Sequence, residues 1–222
     1  LFFDIETTHL KADFGTVLCV GYKWLGKSKT HVLAITDFKN WQDDVTNDSK
    51  LFQALYPVLT EADIWVTYFG KGFDRKYVQS KLLEHHLDFL PNSPHVDLFY
   101  TVKANLNLSR KSLQNVGLFL GCQAQKTPIS GKLWKQAMVG KEHAIEYVKT
   151  HCRADVKLTE EVYLRLRPLV RQHPRVSTCL DECRVCGGNN WQRRGYAVTT
   201  TQKPKARVHC QTCGAWSQVV LT

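Results

Sequence analysis

The sequence lacks several features that would place it in a specialised class of protein. It has no run of about 18 apolar residues, which is the length that a membrane-spanning helix needs. It has no internal repeat and no low-complexity segment, which argues against a solenoid or a disordered chain. With 43% hydrophobic residues and a length of 222, we expect one ordinary globular domain, a smaller module and no membrane partner.

Acidic residues are missing from one end of the chain. Residues 183–222 contain no aspartate or glutamate but six lysines and arginines, so they supply six of the ten net positive charges. Lysine and arginine neutralise phosphates and release condensed counterions from nucleic acid. The charge therefore predicts a polyanionic partner, and nucleic acid is the partner that we expect.

The eight cysteines are not spaced as in a disulfide framework. Four of them form two C-x-x-C pairs, Cys183 with Cys186 and Cys210 with Cys213, separated by 23 residues. This is the spacing of a four-cysteine zinc ribbon, and so polar a segment needs a metal to fold. We therefore expect one structural Zn²⁺ and a reducing, cytoplasmic location, with disulfides as the alternative.

The residues between the two cysteine pairs mix cations with aromatic rings. This mixture suits contact with phosphates together with stacking on bases. A purely structural ribbon or a protein-docking module remains the alternative. The candidate nucleic-acid-binding residues of this segment are Trp191, Arg193, Arg194, Tyr196, Lys203, Lys205 and Arg207.

Hydrophobic periodicity predicts an α/β organisation before residue 168. Three early segments rich in β-branched and aromatic residues indicate an antiparallel meander, and the later segments alternate between strand and helix. H-V-D-L-F-Y at 95–100 fits either a strand or the start of a helix. The predicted strands are 1–5, 16–25, 30–36 and 64–68, and the predicted helices are 50–59, 73–86, 113–121 and 141–166.

Two prolines mark a boundary in the chain. Pro168 ends the longest predicted helix, and Pro174 lies in a segment without periodicity. We therefore predict a domain over 1–168, a linker over 169–182 and a zinc ribbon over 183–222.

Four carboxylates lie in three separate motifs. In D-I-E, Asp4 and Glu6 are two residues apart on a strand, so their side chains point to the same face. Close ionised carboxylates need a cation, and oxygen ligands suit Mg²⁺ or Mn²⁺. Asp74 follows the glycine-rich turn of Y-F-G-K-G-F-D, and Asp155 lies in H-C-R-A-D-V of the longest helix. Taken singly, the acids also fit a solvated strand end and a helix N-terminus.

His151 lies one helical turn before Asp155, on a stripe that also contains Tyr147. If Asp155 faces a metal, His151 is placed to act as a general base on an attacking water. An ordinary exposed or capped histidine is the alternative.

The three motifs, in this order, resemble those of the DEDD superfamily of 3′ to 5′ exonucleases. The likeness is greatest to the exonuclease domains of B-family DNA polymerases and to the stand-alone phage and bacterial proteins similar to them. It covers about residues 1–168 and includes V-D-L-F at 96–99. It implies a ribonuclease H-like α/β fold, in which an antiparallel meander and parallel strands form a mixed sheet flanked by helices, ahead of a small β-rich zinc ribbon. It also implies that two Mg²⁺ or Mn²⁺ ions are held by Asp4, Glu6, Asp74 and Asp155.

The chain departs from this family at two positions. Phe69 stands where the family usually has asparagine, so a substrate contact is lost or replaced, and Phe69 joins the candidate nucleic-acid-binding residues. His151 lies four residues before Asp155. One subgroup of the family has tyrosine at that position, and the other has histidine one residue earlier, so His151 combines the position of the first subgroup with the residue type of the second.

The sequence therefore predicts a two-metal 3′ to 5′ exonuclease, with single-stranded DNA favoured over RNA and the ribbon binding the substrate. The resemblance also implies a bacterial or phage-infected cytoplasm and partners among replication or recombination proteins. The alternatives are a structure-selective endonuclease on the same fold and a catalytically weak nucleic-acid-binding protein.

Overall fold

The computed structural model describes residues 1–179, 181–197 and 204–220. Its contacts divide the chain into two compact units, Leu1–Tyr163 and Leu164–Thr222. Among the described residues, no helix combines the length and the apolarity that crossing a bilayer requires.

A five-stranded mixed sheet forms the centre of the first unit. Its strand order is β3-β2-β1-β4-β5. The first three strands pair antiparallel, and β1, β4 and β5 pair parallel, so the predicted meander and mixed sheet are confirmed. The strands are β1 (Phe2–Thr7), β2 (Val17–Lys23), β3 (His31–Ala34), β4 (Trp65–Thr67) and β5 (His95–Asp97).

Six α-helices accompany this sheet. The ambiguous segment at 95–100 divides at Asp97, which ends β5 and caps the next helix by accepting from the N–H of Phe99. Ser112 caps the short helix α4 by accepting from the N–H of Asn115, and serine is a residue type favoured at this position. The helices are α1 (Ser49–Glu61), α2 (Asp74–Glu84), α3 (Leu98–Asn105), α4 (Leu113–Phe119), α5 (Gly131–Met138) and α6 (Glu142–Leu166).

The alternation of side chains along β1 determines which face of the sheet carries the acidic residues. Phe3 and Ile5 are buried in the main hydrophobic core, while Asp4 and Glu6 point to the other face. On that face Gly21 pairs with Asp4, and a Cβ at Gly21 would lie 2.9 Å from the sulfur of Cys152 in α6. The glycine therefore lets α6 pack directly against the strands beside Asp4.

The second unit contains a small antiparallel sheet. Its order is β6-β7-β8, with β6 at Trp191–Ala197, β7 at Lys205–Cys210 and β8 at Trp216–Val220. Its small core contains the buried Cys183 and Cys210. So few apolar residues give little hydrophobic stabilisation, which is why we expect a metal to hold this unit together.

Candidate active site

The first and second acidic motifs are joined by a hydrogen bond. The N–H of Ile5, which lies between Asp4 and Glu6, donates to Oδ1 of Asp74 at 3.1 Å. Asp74 is buried and begins α2. This contact brings the start of α2 to the strand that carries the two acids.

Asp97 fixes the turn that leads to Asp74. Its carboxylate accepts from the N–H of Phe69 at 3.0 Å and from the N–H of Lys71 at 2.9 Å. Phe69 has a φ of 70°, which is unfavourable for a residue with a side chain, so this turn needs such support. Asp97 is the aspartate of V-D-L-F, a segment included in the family resemblance, but the sequence pattern alone indicates no role for it.

The third acidic motif reaches the same place from α6. One ligand atom from each of Glu6, His151 and Asp155 lies within 4.8 Å of the others. Nε2 of His151 is 3.7 Å from Oε1 of Glu6 and 3.9 Å from Oδ2 of Asp155. The structure therefore brings together the acids of all three motifs and the histidine; we call Asp4, Glu6, Asp74 and Asp155 the carboxylate centre.

The carboxylate centre has too little positive charge around it to keep the pKa values of Asp4, Glu6 and Asp74 in their usual range. Burial raises the pKa of Asp4 well above its usual value, and the carboxylates of Asp74, Glu6 and Asp155 raise it further. Burial, followed by the charge of Asp155, raises the pKa of Glu6 to about 8. Burial also raises the pKa of Asp74 to about 7. Such a set of hard oxygen donors fits Mg²⁺ or Mn²⁺, because a cation relieves the repulsion that these shifts express.

Lys126 supplies one positive charge from a segment to which the sequence assigned no role. Its ammonium group forms an ion pair with Oδ2 of Asp155. Burial alone would lower the pKa of Lys126, but the carboxylates of Asp155, Asp4 and Glu6 outweigh it and raise that pKa. Oδ1 of Asp155 is buried without a hydrogen-bond partner among the described residues, so the centre has an oxygen left over for a further cation.

The two residues after Lys126 also contact α6. Oγ1 of Thr127 is 3.1 Å from Nδ1 of His151, and the hydroxyl of Tyr147 donates to the carbonyl of Pro128 at 2.8 Å. We call residues 126–128 the strap. Its residues meet the three members of the predicted α6 stripe in reverse order, so the strap runs antiparallel to the helix.

The pKa of His151 lies below its usual value. Burial is the main cause, and the charge of Lys126 adds to it, while the carboxylate of Asp155 opposes it. The imidazole is therefore neutral near pH 7, with one nitrogen fixed by Thr127 and the other directed at the acids.

Two clefts adjoin the carboxylate centre. One of about 400 Å³ is lined by Asp4, Asp155 and Lys126 together with the aromatic rings of Tyr68, Phe69 and Phe99. Phe69 is 43% exposed, and its ring centroid lies 5.0 Å from that of Phe99. The other cleft, of about 860 Å³, shares Lys126 and has His151, Trp134 and Met138 in its wall. Both clefts have the size of ligand sites, and both have exposed apolar surface.

The four cysteines of the second unit, Cys183, Cys186, Cys210 and Cys213, lie close together. The sulfurs of Cys183 and Cys213 are 3.7 Å apart, as are those of Cys186 and Cys210. These distances exclude bonded sulfurs, which lie about 2.05 Å apart. A tetrahedron with Zn–S bonds of about 2.3 Å has edges of about 3.8 Å, so the four thiols fit a zinc ion.

The candidate nucleic-acid-binding residues of the second unit differ in their surroundings. Arg193 lies over the ring of the exposed Tyr196 at 4.8 Å, and Arg194 is exposed. Trp191 packs against the cysteine cluster and donates its ring N–H to the carbonyl of Asp181. Three further predicted residues lie outside this group: Lys205 and Arg207 are in β7, and Lys203 lies outside the described residues.

Comparisons with known proteins place this geometry in context. The family model described as the RNase_H superfamily matches residues 1–167. Among the matching solved structures is the family B DNA polymerase from the hyperthermophilic archaeon Pyrobaculum calidifontis, with 16% identity and a TM-score of 0.55. The match covers 76% of this chain and 25% of the polymerase chain, so the likeness is one of fold over a part of that protein. No curated protein matches in sequence.

Proposed function

Because this chain belongs to the RNase H superfamily, we propose that it is a metal-dependent nuclease of the DEDD type. It removes nucleotides from the 3′ end of a nucleic-acid strand, with single-stranded DNA as the favoured substrate. The observation that carries the proposal is the convergence of acids from three motifs, whose pKa values are raised by burial and by one another. Perturbed titratable groups beside a cleft are typical of functional sites.

Asp4, Glu6, Asp74 and Asp155 are the residues that hold Mg²⁺ or Mn²⁺. When bound, two such ions would lower the pKa of an attacking water and neutralise charge on the leaving 3′ oxygen. Four carboxylates match the charge of two divalent ions, and Oδ1 of Asp155, which has no hydrogen-bond partner in the part of the chain that the structure describes, is available as a ligand atom.

His151 is the residue that accepts a proton. In the tautomer that this role requires, Nδ1 of His151 carries the proton and donates it to the Thr127 hydroxyl, and the lone pair of Nε2 faces the carboxylate centre. A neutral imidazole in that position orients and deprotonates a water molecule. Thr127 does not touch the water in this scheme and acts as a positioning residue.

The substrate is bound by apolar and cationic surface around the centre. Phe69 and Phe99 offer ring faces in the smaller cleft, where Lys111 also lies. Bases stack on aromatic rings, and cations follow the phosphates. The second unit, folded around one structural Zn²⁺, binds the same nucleic acid through its basic face.

Digestion of end-labelled strands tests the proposal. With Mg²⁺ or Mn²⁺ present, a single strand labelled at its 5′ end is expected to give a ladder that shortens one nucleotide at a time. The same strand labelled at its 3′ end is expected to release labelled mononucleotide first. Internal fragments from both labels would indicate an endonuclease instead, and binding without any cleavage would show a binding protein.

A further inference from the structure

One face of the small sheet carries a row of basic side chains. Along β7, Ala206, Val208 and Cys210 are buried, so the alternate residues Arg207 and His209 point to the opposite, outer face. Lys205 continues this row at the start of the strand. Residues 183–222, which contain the whole small sheet, include no aspartate or glutamate.

Trp216 lies on the same outer face, on the neighbouring strand. It pairs with His209 across β7 and β8, and the two rings stack with centroids 4.7 Å apart and an angle of 24°. The guanidinium of Arg207 lies 5.2 Å from the centroid of the Trp216 ring. We call Arg207, His209 and Trp216 the aromatic platform.

The platform is preassembled but remains open. Nδ1 of His209 is 3.0 Å from Nε2 of Gln211, which fixes the imidazole. Trp216 is nevertheless 53% exposed. It lies on the edge strand β8, so within the described residues no further strand covers its other side.

Folding does not explain the position of Trp216. The buried core of this unit is formed by Cys183, Val185, Cys210 and Ala215, with Trp191 packed against it. Trp191 also uses its ring N–H to bind the carbonyl of Asp181. Of these two tryptophans, Trp191 has a structural role, and Trp216 is the one with an exposed ring.

We propose that the aromatic platform binds single-stranded nucleic acid by stacking an unpaired base on Trp216, while Arg207 and Lys205 contact the flanking phosphates. Charge complementarity selects this occupant, because the outer face is basic and aromatic and residues 183–222 contain no acid. In a duplex the base faces are already stacked on one another, so the platform distinguishes unpaired from paired strands. This inference rests on the nucleic-acid-binding part of the proposed function and assigns that binding to a residue.

Fluorescence anisotropy with the zinc-loaded full chain tests the inference. The probes are a labelled 20-nucleotide single-stranded DNA, the same sequence as RNA, and a DNA duplex, without added Mg²⁺ or Mn²⁺ so that cleavage does not occur. Trp216→Ala is expected to weaken binding of the single strands about tenfold and of the duplex less than about twofold. Trp216→Phe keeps a ring and is expected to stay within about threefold of the wild type. The two single-stranded probes show whether DNA or RNA is preferred.

The matched control is Val220→Ala, since Val220 is also exposed and lies four residues farther along β8. This variant is expected to leave all affinities unchanged.

Two further measurements support the comparison. Trp216→Leu tests whether loss of apolar volume alone matters, and zinc content per chain shows whether each variant is folded. Removal of the Trp216 ring should leave the salt dependence of binding unchanged. Arg207→Gln should reduce the slope of the logarithm of the binding constant against the logarithm of the salt concentration by about 0.7, because one phosphate contact is lost.

Four results would overturn the inference. If Trp216→Ala binds the single strands as the wild type does, the ring does not stack on bases. If Trp216→Leu retains full affinity, Trp216 contributes through apolar packing alone. If single-strand and duplex binding fall equally, the ring does not distinguish unpaired from paired strands. If the wild-type chain binds none of the three probes, the nucleic-acid part of the proposed function fails as well, which distinguishes that failure from the first three.

Discussion

Oγ1 of Thr127 lies 3.1 Å from Nδ1 of His151, and this contact joins the strap to the helix that carries Asp155. On either side of it, Lys126 pairs with Asp155, and Pro128 accepts from Tyr147. Three consecutive strap residues thus meet three residues spaced four apart on α6. The strap therefore holds both the imidazole and the charge next to the carboxylate centre.

Substitutions at this contact are expected to distinguish the role of His151 as the base from the role of Thr127, which orients the imidazole. Replacing His151 with Ala removes the proposed base and is expected to lower kcat at least about 100-fold. Thr127→Val removes only the hydroxyl that fixes the ring and is expected to lower kcat about tenfold with little change in KM. Steady-state kinetics on a single-stranded substrate measure both.

Two control variants accompany these changes. Thr127→Ser keeps a hydroxyl and is expected to recover most of the activity lost in Thr127→Val. His143→Gln alters an exposed histidine on the same helix and is expected to be neutral. A His151→Ala protein with wild-type kcat would show that the histidine only occupies the position of a base.

Lys126 is expected to compete with divalent cations for Asp155. In Lys126→Gln the ion pair is lost, so the metal-free protein is expected to have a lower Tm because the acids are less neutralised. The same change removes a competing charge, and the Kd for Mn²⁺ is expected to fall about tenfold. Isothermal titration calorimetry measures the affinity.

Lys132→Gln serves as the matched control, because Lys132 is exposed at the start of α5. It is expected to leave both Tm and Kd unchanged. An unchanged or weaker Mn²⁺ affinity in Lys126→Gln would mean that Lys126 does not occupy a cation position.

Loss of a carboxylate is expected to remove both metal binding and cleavage. Asp4→Asn and Asp155→Asn keep the size of the side chain but remove its negative charge and leave a single neutral oxygen as a possible ligand. We expect Mn²⁺ to raise the Tm of the wild type, since it binds the folded state, and to leave the Tm of both variants unchanged. Asp88→Asn, at an exposed acid, should respond to Mn²⁺ as the wild type does; digestion by the Asp4 and Asp155 variants at the wild-type rate would contradict the site.

The parts of the site that follow regular secondary structure could be predicted from the sequence. Asp4 and Glu6 share a face because strands alternate, and His151 and Asp155 share a stripe because helices repeat every 3.6 residues. Lys126 and Asp97 have no such pattern around them. Their roles depend on contacts between residues far apart in the chain, such as Lys126 with Asp155 and Asp97 with the turn at Phe69.

The small sheet shows a second reason why parts of the molecule could not be predicted from the sequence. Its β6–β7 register shifts between Arg193 and Tyr196, so simple alternation does not predict which side chains of β6 and β7 share a face. The sequence predicts Trp191 and Tyr196 as the aromatic candidates for stacking, and the structure places Trp191 against the cysteines. Trp216 is not among the residues that the sequence predicts to bind nucleic acid, yet its ring is more exposed than that of Trp191.

His95 is expected to make the first unit sensitive to acid. The hydroxyl of Thr67 accepts from the N–H of Gly70 and lies within hydrogen-bonding distance of Nε2 of His95, at 2.8 Å. Burial, followed by the charges of Lys71 and Arg75, lowers the pKa of His95 to about 3. Between that pH and about 6.5 the unfolded chain binds a proton that the folded chain does not.

Stability is therefore expected to fall as the pH decreases below about 6.5, by at most about 1.4 kcal/mol per pH unit from this group. His95→Gln keeps a hydrogen-bonding side chain without a titration in this range, so its free energy of unfolding should depend less on pH. Urea unfolding of both proteins at pH 7.5, 6.0 and 5.0 measures the difference. Parallel pH profiles for the two proteins would show that His95 protonates as easily when folded as when unfolded.

Zinc removal is expected to affect the second unit alone. Cys183 is buried in the cysteine cluster, so Cys183→Ser is expected to lower bound zinc far below one per chain and to weaken single-strand binding. The sheet of the first unit has its own core, and its thermal transition is expected to persist. Cys179→Ser is the matched control, because Cys179 is exposed and outside the cluster; it should retain zinc. If Cys183→Ser retains one zinc per chain and full affinity, the four thiols do not form the metal site, because a structural zinc site depends on all of its ligands.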